Sequence, residues 1–214
     1  IRDSIHTHVA ENPQEVEWVT SLFPQHRSYL DVYDHHGLLR DRSVYAHCIY
    51  LDDADRQRMA ESQATMAFCP TSNLFLGSGL FDHQEALDLK VRVGLATDVG
   101  GGSSFSMLQT ANEAYKVQQL KGQTLTAYQS LYLLTLGGAH ALFLDDVIGN
   151  FMPGKEADFL IIDLECTPLM SRRTSKVDDL AELLFVLLML GDDRAVAETY
   201  IHGRCAYRRD VVQA

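Results

Sequence analysis

Four residues with the means to do chemistry fall where apolar strands give way to loops. His8 lies near the end of a strand read over residues 4–9, and His47 ends one over 43–47. Asp98 follows a strand read over 91–97, and Glu11 sits three residues past His8 in the loop that enters a helix. In α/β proteins reactive groups collect at the carboxyl ends of parallel strands. Imidazole nitrogens with an ionised Asp are metal ligands, and a spare Glu beside them can carry protons. Each residue taken alone has an ordinary explanation. A strand His is commonly a core or surface residue, an Asp after a strand often caps the next helix, and Glu11 would suit the positive end of a helix dipole. Recurrence at equivalent strand ends is what points to a metal-dependent hydrolase.

Other chemical signals are weaker. His6-x-His8 puts two side chains on one face of a strand, but this spacing is common. His26, His35, His36 and His83 stand in polar contexts and are expected to be solvated. Gly100-Gly101-Gly102 has neither GxGxxG order nor a following Gly-Lys-Ser/Thr, which excludes a nucleotide cradle. It reads instead as a close approach of backbone to the site beside Asp98.

The elements that must position these groups alternate as short apolar strands and amphipathic helices, the pattern of βα units. Asn12-Pro13-Gln14-Glu15 predicts a helix start with Asn12 as cap and Glu15 placed for a capping box. A second helix over 29–36 ends at Gly37. Asp52 or Asp53 caps a helix over 56–61, and a strand over 64–69 is broken by Pro70-Thr71-Ser72-Asn73. Helices follow over 84–89, 105–120 and 127–134, the last continuing over 139–143. After Gly149 the chain turns β-rich, with a buried strand over 157–163, a helix over 177–190 and a strand over 197–202. This organisation divides the chain into 1–149 and 150–214.

With 18 Lys+Arg against 29 Asp+Glu in 214 residues, the formal charge is −11, and 46% of residues are hydrophobic. These are the proportions of a globular protein with a real core. The acidic balance argues against nucleic acid or an anionic membrane as partner. The longest apolar run, residues 183–190, falls well short of the ~20 needed to span a bilayer. Cys48, Cys69, Cys166 and Cys205 lack metal or disulfide spacing and read as reduced thiols, which fits the cytoplasm. The chain opens on Ile1 and enters a strand within five residues, so it is expected to be a piece of a longer chain.

Four motifs together resemble the amidohydrolase superfamily: His8-Val9-Ala10-Glu11-Asn12, Tyr45-Ala46-His47-Cys48, Cys69-Pro70-Thr71-Ser72-Asn73-Leu74 and Thr97-Asp98-Val99-Gly100-Gly101. They match its strands five to eight, and residues 149–158 resemble the re-entry into its flanking β-sandwich. Asn73 through Phe81, Asp98 through Met107 and Leu190-Gly191-Asp192-Asp193-Arg194 are similar to its guanine-deaminating members. The resemblance implies an α/β fold made of strands 5–8 of a (β/α)8 barrel followed by part of a small β-sandwich. It also implies one Zn2+ per subunit, Fe2+ being an equal match for the same donors. His8 and Asp98 would be metal ligands, completed by a His-x-His pair upstream of Ile1.

Under the same resemblance Glu11, His47 and Asp98 are catalytic, and His8, Glu11 and Asp98 contact a purine. Asp98 would take the proton of the attacking water, Glu11 would protonate a ring nitrogen and help ammonia leave, and His47 would hydrogen-bond the attacking hydroxide. Guanine would become xanthine in purine catabolism, and the family habit is a homodimer. Ser72, Asn73 and the loop to Phe81 would wall the pocket. Other readings stay open: a triazine, adenosine-derivative or cytosine hydrolase with the same ligands, a non-catalytic half, or a cysteine-based zinc or redox module.

Overall fold

The computed structural model describes residues 4–209. The outer ends of both sequence divisions, 1–3 and 210–214, lie outside these. Strands β1 (Ile5–Val9), β2 (Ser43–His47), β3 (Thr65–Phe68) and β4 (Arg92–Leu95) form a parallel sheet in the order β1-β2-β3-β4. Val9 pairs with His47, Ala46 with Ala67, and Phe68 with Leu95. The register therefore levels the carboxyl ends of the four strands into one rim. Ten helices are described: α1 (Pro13–Leu22), α2 (Tyr29–His35), α3 (Asp53–Ser62), α4 (Pro70–Phe75), α5 (His83–Asp88), α6 (Met107–Leu120), α7 (Ala127–Leu134), α8 (Leu136–Ala141), α9 (Pro168–Thr174) and α10 (Leu180–Leu190). A second, antiparallel sheet has the order β5 (Phe159–Ile162), β6 (Val196–Ile201) and β7 (Arg204–Arg208).

Local chemistry sets the helix starts. Asn12 Oδ1 accepts from Glu15 N at 2.9 Å, Asp52 Oδ1 from Asp55 N at 2.8 Å, and Asp82 Oδ1 from Glu85 N at 2.9 Å. Each cap satisfies an amide the helix leaves without a partner. β2 and β3 are buried throughout, as parallel strands covered on both faces must be. Their side chains feed a core that includes Val9, Tyr45, Met59, Met66, Phe68, Phe81 and Val117. Phe68 and Phe81 stack at 4.7 Å, and burial of each ring contributes about 2 to 3 kcal/mol. Leu188 of α10 packs with Ala111 and Ala127, while Leu187 packs with Met170 and Ala195. α10 thus joins the parallel sheet's helices to the second sheet. No described helix is long and apolar enough to cross a membrane.

Several expectations need correction. Pro70-Thr71-Ser72-Asn73 forms the start of a helix rather than an open break, with Pro70 in its first turn. The strand read over 91–97 ends at Leu95, so Asp98 lies in the loop three residues beyond it. The helix read through 139–143 is separate, because Thr135 leaves helical geometry at φ −127, ψ −102. The strand read as buried over 157–163 is shorter and open, with Leu160 51% and Ile161 45% exposed. Successive strand residues point to opposite faces, so both faces of the small sheet are partly open here. Helix α9 is an addition to the expected elements, although Thr167 as cap with Pro168 following is an ordinary start signal. His83, expected in solvent, is 5% exposed, and burial depresses its pKa.

Candidate active site

Turns in left-handed backbone aim the site. Ala10 has φ +50, and its carbonyl accepts from Ile49 N at 3.1 Å and Tyr50 N at 3.0 Å, locking the exit of β1 to that of β2. His47 has φ +72 and Asp98 φ +49. Such conformations in residues other than glycine are uncommon and gather at functional positions. Glu15 does not close the expected box onto Asn12. Its Oε2 accepts from the amide of Glu11 at 2.8 Å and its Oε1 from Tyr29 Oη at 3.0 Å. Burial raises the Tyr29 pKa, so this phenol stays a donor. The backbone of Glu11 is pinned from the helix that follows it.

The side chains brought together are those the sequence singled out. His8 Nε2 lies 3.8 Å from Asp98 Oδ1, and His47 Nε2 lies 3.8 Å from Asp98 Oδ2. His47 Nε2 is 3.6 Å from Glu11 Oε2, and the His8 and His47 rings stack at 5.3 Å. One donor atom from each of His8, His47 and Asp98 falls within 4.8 Å of the others. His8 is exposed, Asp98 and Glu11 are half-buried, and His47 is 1% exposed. His6 is an exposed residue outside this cluster, and His26, His35 and His36 belong to α2 and its flanks.

Two further residues complete the arrangement. His47 Nδ1 donates to Asn73 Oδ1 at 2.8 Å, and Ser78 Oγ donates to Glu11 Oε1 at 2.7 Å. Both belong to the stretch from Asn73 to Phe81, but only the fold reveals their partners. Gly101 fulfils the close approach expected of its stretch. A Cβ there would stand 2.6 Å from Ser72 Oγ and 3.2 Å from Asp98 Oδ2. The thiol of Cys69 is pushed up to about 12 by burial and the nearby Asp98 charge, which leaves it no nucleophile.

With its Nδ1 proton given to Asn73, His47 presents the Nε2 lone pair toward two carboxylates, and that buried nitrogen has no hydrogen-bond partner among the described residues. In the neutral ring this lone pair would repel the carboxylates it faces. A cation among them relieves that repulsion, and nitrogen and oxygen donors at this spacing suit zinc or ferrous iron. The residues fit a metal. A cavity of about 580 Å³ opens between α4, α6 and the end of α10, lined by Thr71, Phe75, Ser103, Asn112 and Asp192 among others. It adjoins the Asp98 loop through Ser103 but holds none of the clustered donors.

Residues 3–205 match the model of the amidohydrolase family. The chain belongs to the amidohydrolase family. This family member is 52% identical over 206 residues to the guanine deaminase of Escherichia coli K12, across 96% of this chain and 47% of the relative. Among solved structures, E. coli guanine deaminase superposes with a TM-score of 0.97 at 51% identity, over 98% of this chain and 49% of that one. A guanine deaminase from C. acetobutylicum, solved with guanine in its active site, gives 0.86 at 28% identity, over 96% and 49%. An adenosine deaminase from Xanthomonas campestris, solved with bound zinc, gives 0.82 at 26%, over 94% and 45%. The amidohydrolase chain spans about half the length of the relatives it matches.

Proposed function

We propose that this chain supplies the second half of a (β/α)8 barrel in residues 1–149 and part of a β-sandwich in 150–214, within a protein that hydrolyses guanine to xanthine and ammonia. The observation that carries the reading is the convergence of His8, His47, Asp98 and Glu11 on one rim of a parallel sheet. Identity of 52% to a guanine deaminase supports the choice of ring. His8 and Asp98 would hold the metal, zinc by preference and ferrous iron as the alternative, with further ligands from outside the described residues. When bound, the metal supplies Lewis acidity that makes water a nucleophile near neutral pH.

The chain's own groups then divide the proton work. Asp98 takes a proton from the attacking water. Glu11, as a carboxylic acid, delivers its proton to a ring nitrogen of the purine. The proton held by Asp98 passes to the departing amine, and Glu11 recovers one from the C2 hydroxyl as the carbonyl forms, which helps ammonia leave. His47, held by Asn73, directs its Nε2 lone pair at the attacking water and accepts a hydrogen bond from it, which orients the oxygen for attack. Water adds at C2, the C2–N bond breaks, and ammonia leaves. His8, Glu11 and Asp98 line the ring's position. Assembly as a homodimer and a cytoplasmic place in purine catabolism belong to the same proposal.

The test is ammonia release by the metal-loaded, full-length protein across guanine, adenosine, cytosine and a chlorotriazine. Preferred turnover of guanine is expected. Faster turnover of another ring, or no turnover with metal bound at full stoichiometry, overturns the reading.

A further inference from the structure

Glu11 stands in a loop, with a carboxylate that its flexible stem leaves free to swing toward solvent. Its backbone amide is fixed by Glu15, but that contact does nothing for the side-chain end. There Ser78 Oγ donates to Oε1 at 2.7 Å, while Oε2 faces His47 Nε2 at 3.6 Å. Ser78 is itself firmly held. It is 4% exposed, its amide donates to Asn73 O at 2.8 Å, and its carbonyl accepts from Tyr50 Oη at 2.7 Å. Gly77 and Gly79 flank it at φ +70 and +148, and a Cβ on Gly79 would stand 2.7 Å from the Tyr50 hydroxyl. The loop is thus shaped so that Tyr50 can grip the Ser78 backbone and leave its hydroxyl directed at Glu11.

We propose that Ser78 is a positioning residue for Glu11, which decides which carboxylate oxygen carries the mobile proton. In a carboxylic acid the carbonyl oxygen is the hydrogen-bond acceptor and the hydroxyl oxygen the donor. A serine fixed as donor to Oε1 keeps Oε1 carbonyl-like. When Glu11 takes up a proton it therefore takes it on Oε2, the oxygen turned to the site. Without Ser78 the proton distributes over both oxygens, and the carboxylate rotates away from its delivery geometry. The inference rests on the role given to Glu11 above and adds the group that makes this role directional. Asn73 binds both sides of the pair, accepting from His47 through its side chain and from Ser78 through its carbonyl. One short segment after β3 thereby sets the imidazole and the carboxylate together.

The experiment uses the full-length, metal-loaded protein with guanine and four variants: Ser78→Ala, Ser78→Thr, Glu11→Gln, and Ser78→Ala combined with Glu11→Gln. Loss of alignment at a reacting group by about an ångström costs on the order of 100-fold, so Ser78→Ala is expected to lower kcat by about 10- to 100-fold. KM and metal content are expected to stay within about twofold, because Ser78 touches neither, and Ser78→Thr is expected to restore most of kcat by returning the hydroxyl. In the Glu11→Gln background Ser78→Ala is expected to change the residual rate by less than about twofold, since residues that act through one another do not add. Tyr50→Phe, which frees the Ser78 backbone but leaves its hydroxyl, is expected to lower kcat alone and less, and answers the question should Ser78→Ala not fold. A Ser78→Ala enzyme with wild-type kcat, or an equal loss in both backgrounds, overturns the inference. A wild-type protein inactive on guanine overturns the functional reading instead, and near-native Glu11→Gln overturns the role of Glu11.

Discussion

Asn73→Ala tests whether the imidazole of His47 is held by its back nitrogen. Asn73 is 1% exposed and accepts the His47 Nδ1 proton at 2.8 Å, inside a pocket where His47 is equally dry. Removing the amide leaves a buried N–H without a partner, a loss of about 1 to 3 kcal/mol. The ring can recover part of that only by flipping or by moving its proton to Nε2, and either change removes the lone pair from the site. Since about 1.4 kcal/mol is a tenfold change in population, kcat/KM should fall by about 5- to 150-fold. Metal content should stay within about twofold, because the proposed ligands are His8 and Asp98 and not His47. The assays are steady-state ammonia release, chelator competition and NMR of histidine-labelled protein, in which His47 should show protonated Nδ1 in the parent. Kinetics within about twofold of the parent, or a parent His47 protonated at Nε2 alone, would show that Asn73 does not set the ring.

Glu11→Gln keeps the side chain's shape but not its proton, so turnover should drop by about 100- to 10,000-fold with metal content unchanged; Asp98→Asn should lose metal and turnover together, both read by metal analysis beside the rate. Gly101→Ala places a methyl 2.6 Å from the hydroxyl of fully buried Ser72 and 3.1 Å from Leu76 Cδ1. Stability should fall by about 1 to 3 kcal/mol, seen as a lower urea midpoint. Burial lowers the pKa of His83, with the Asp82 charge opposing. The unfolded chain then binds the proton first as pH drops, so the folded state loses stability from about pH 6.5 downward and keeps it above. Melting temperatures across that interval should show the decline in the parent and a flatter profile in His83→Gln.

The parts of this fold written in local chemistry were legible. Residues 43–47 read as a strand and form β2, and the caps at Asn12 and Asp52 start α1 and α3 as their side chains dictate. The clustering of His8, His47 and Asp98 followed from strand-end position alone, because parallel register levels those ends. What escaped depends on distant partners. Nothing near His83 in sequence says that the end of α6, where Gln118 donates to the Phe81 carbonyl, will close around this part of the chain. Likewise nothing near Leu160 and Ile161 says that both will stay exposed. Glu15 stood at the right spacing for a box with Asn12, yet the amide of Glu11 and the hydroxyl of Tyr29 claimed its two oxygens. Asn73 and Ser78 read as a pocket wall. Their work on His47 and Glu11 spans 26 and 67 residues of sequence, a reach no local pattern encodes.

The left-handed turns at Ala10, His47 and Asp98 set the demands of folding against those of reaction. Each such residue costs about 1 to 2 kcal/mol that glycine would not, somewhat less for His and Asp, which tolerate the region better than most. A lineage or library selected for heat resistance alone would accordingly favour glycine at 98, gaining robustness while erasing a donor that the rim exists to present. At 47 the buried ring and its bond to Asn73 outweigh the backbone strain. A mutational scan scored separately for abundance and for turnover should show glycine at position 98 with opposite signs in the two readouts. Consensus stabilisation of this protein should therefore hold the strand ends fixed and draw its substitutions from the outer helices.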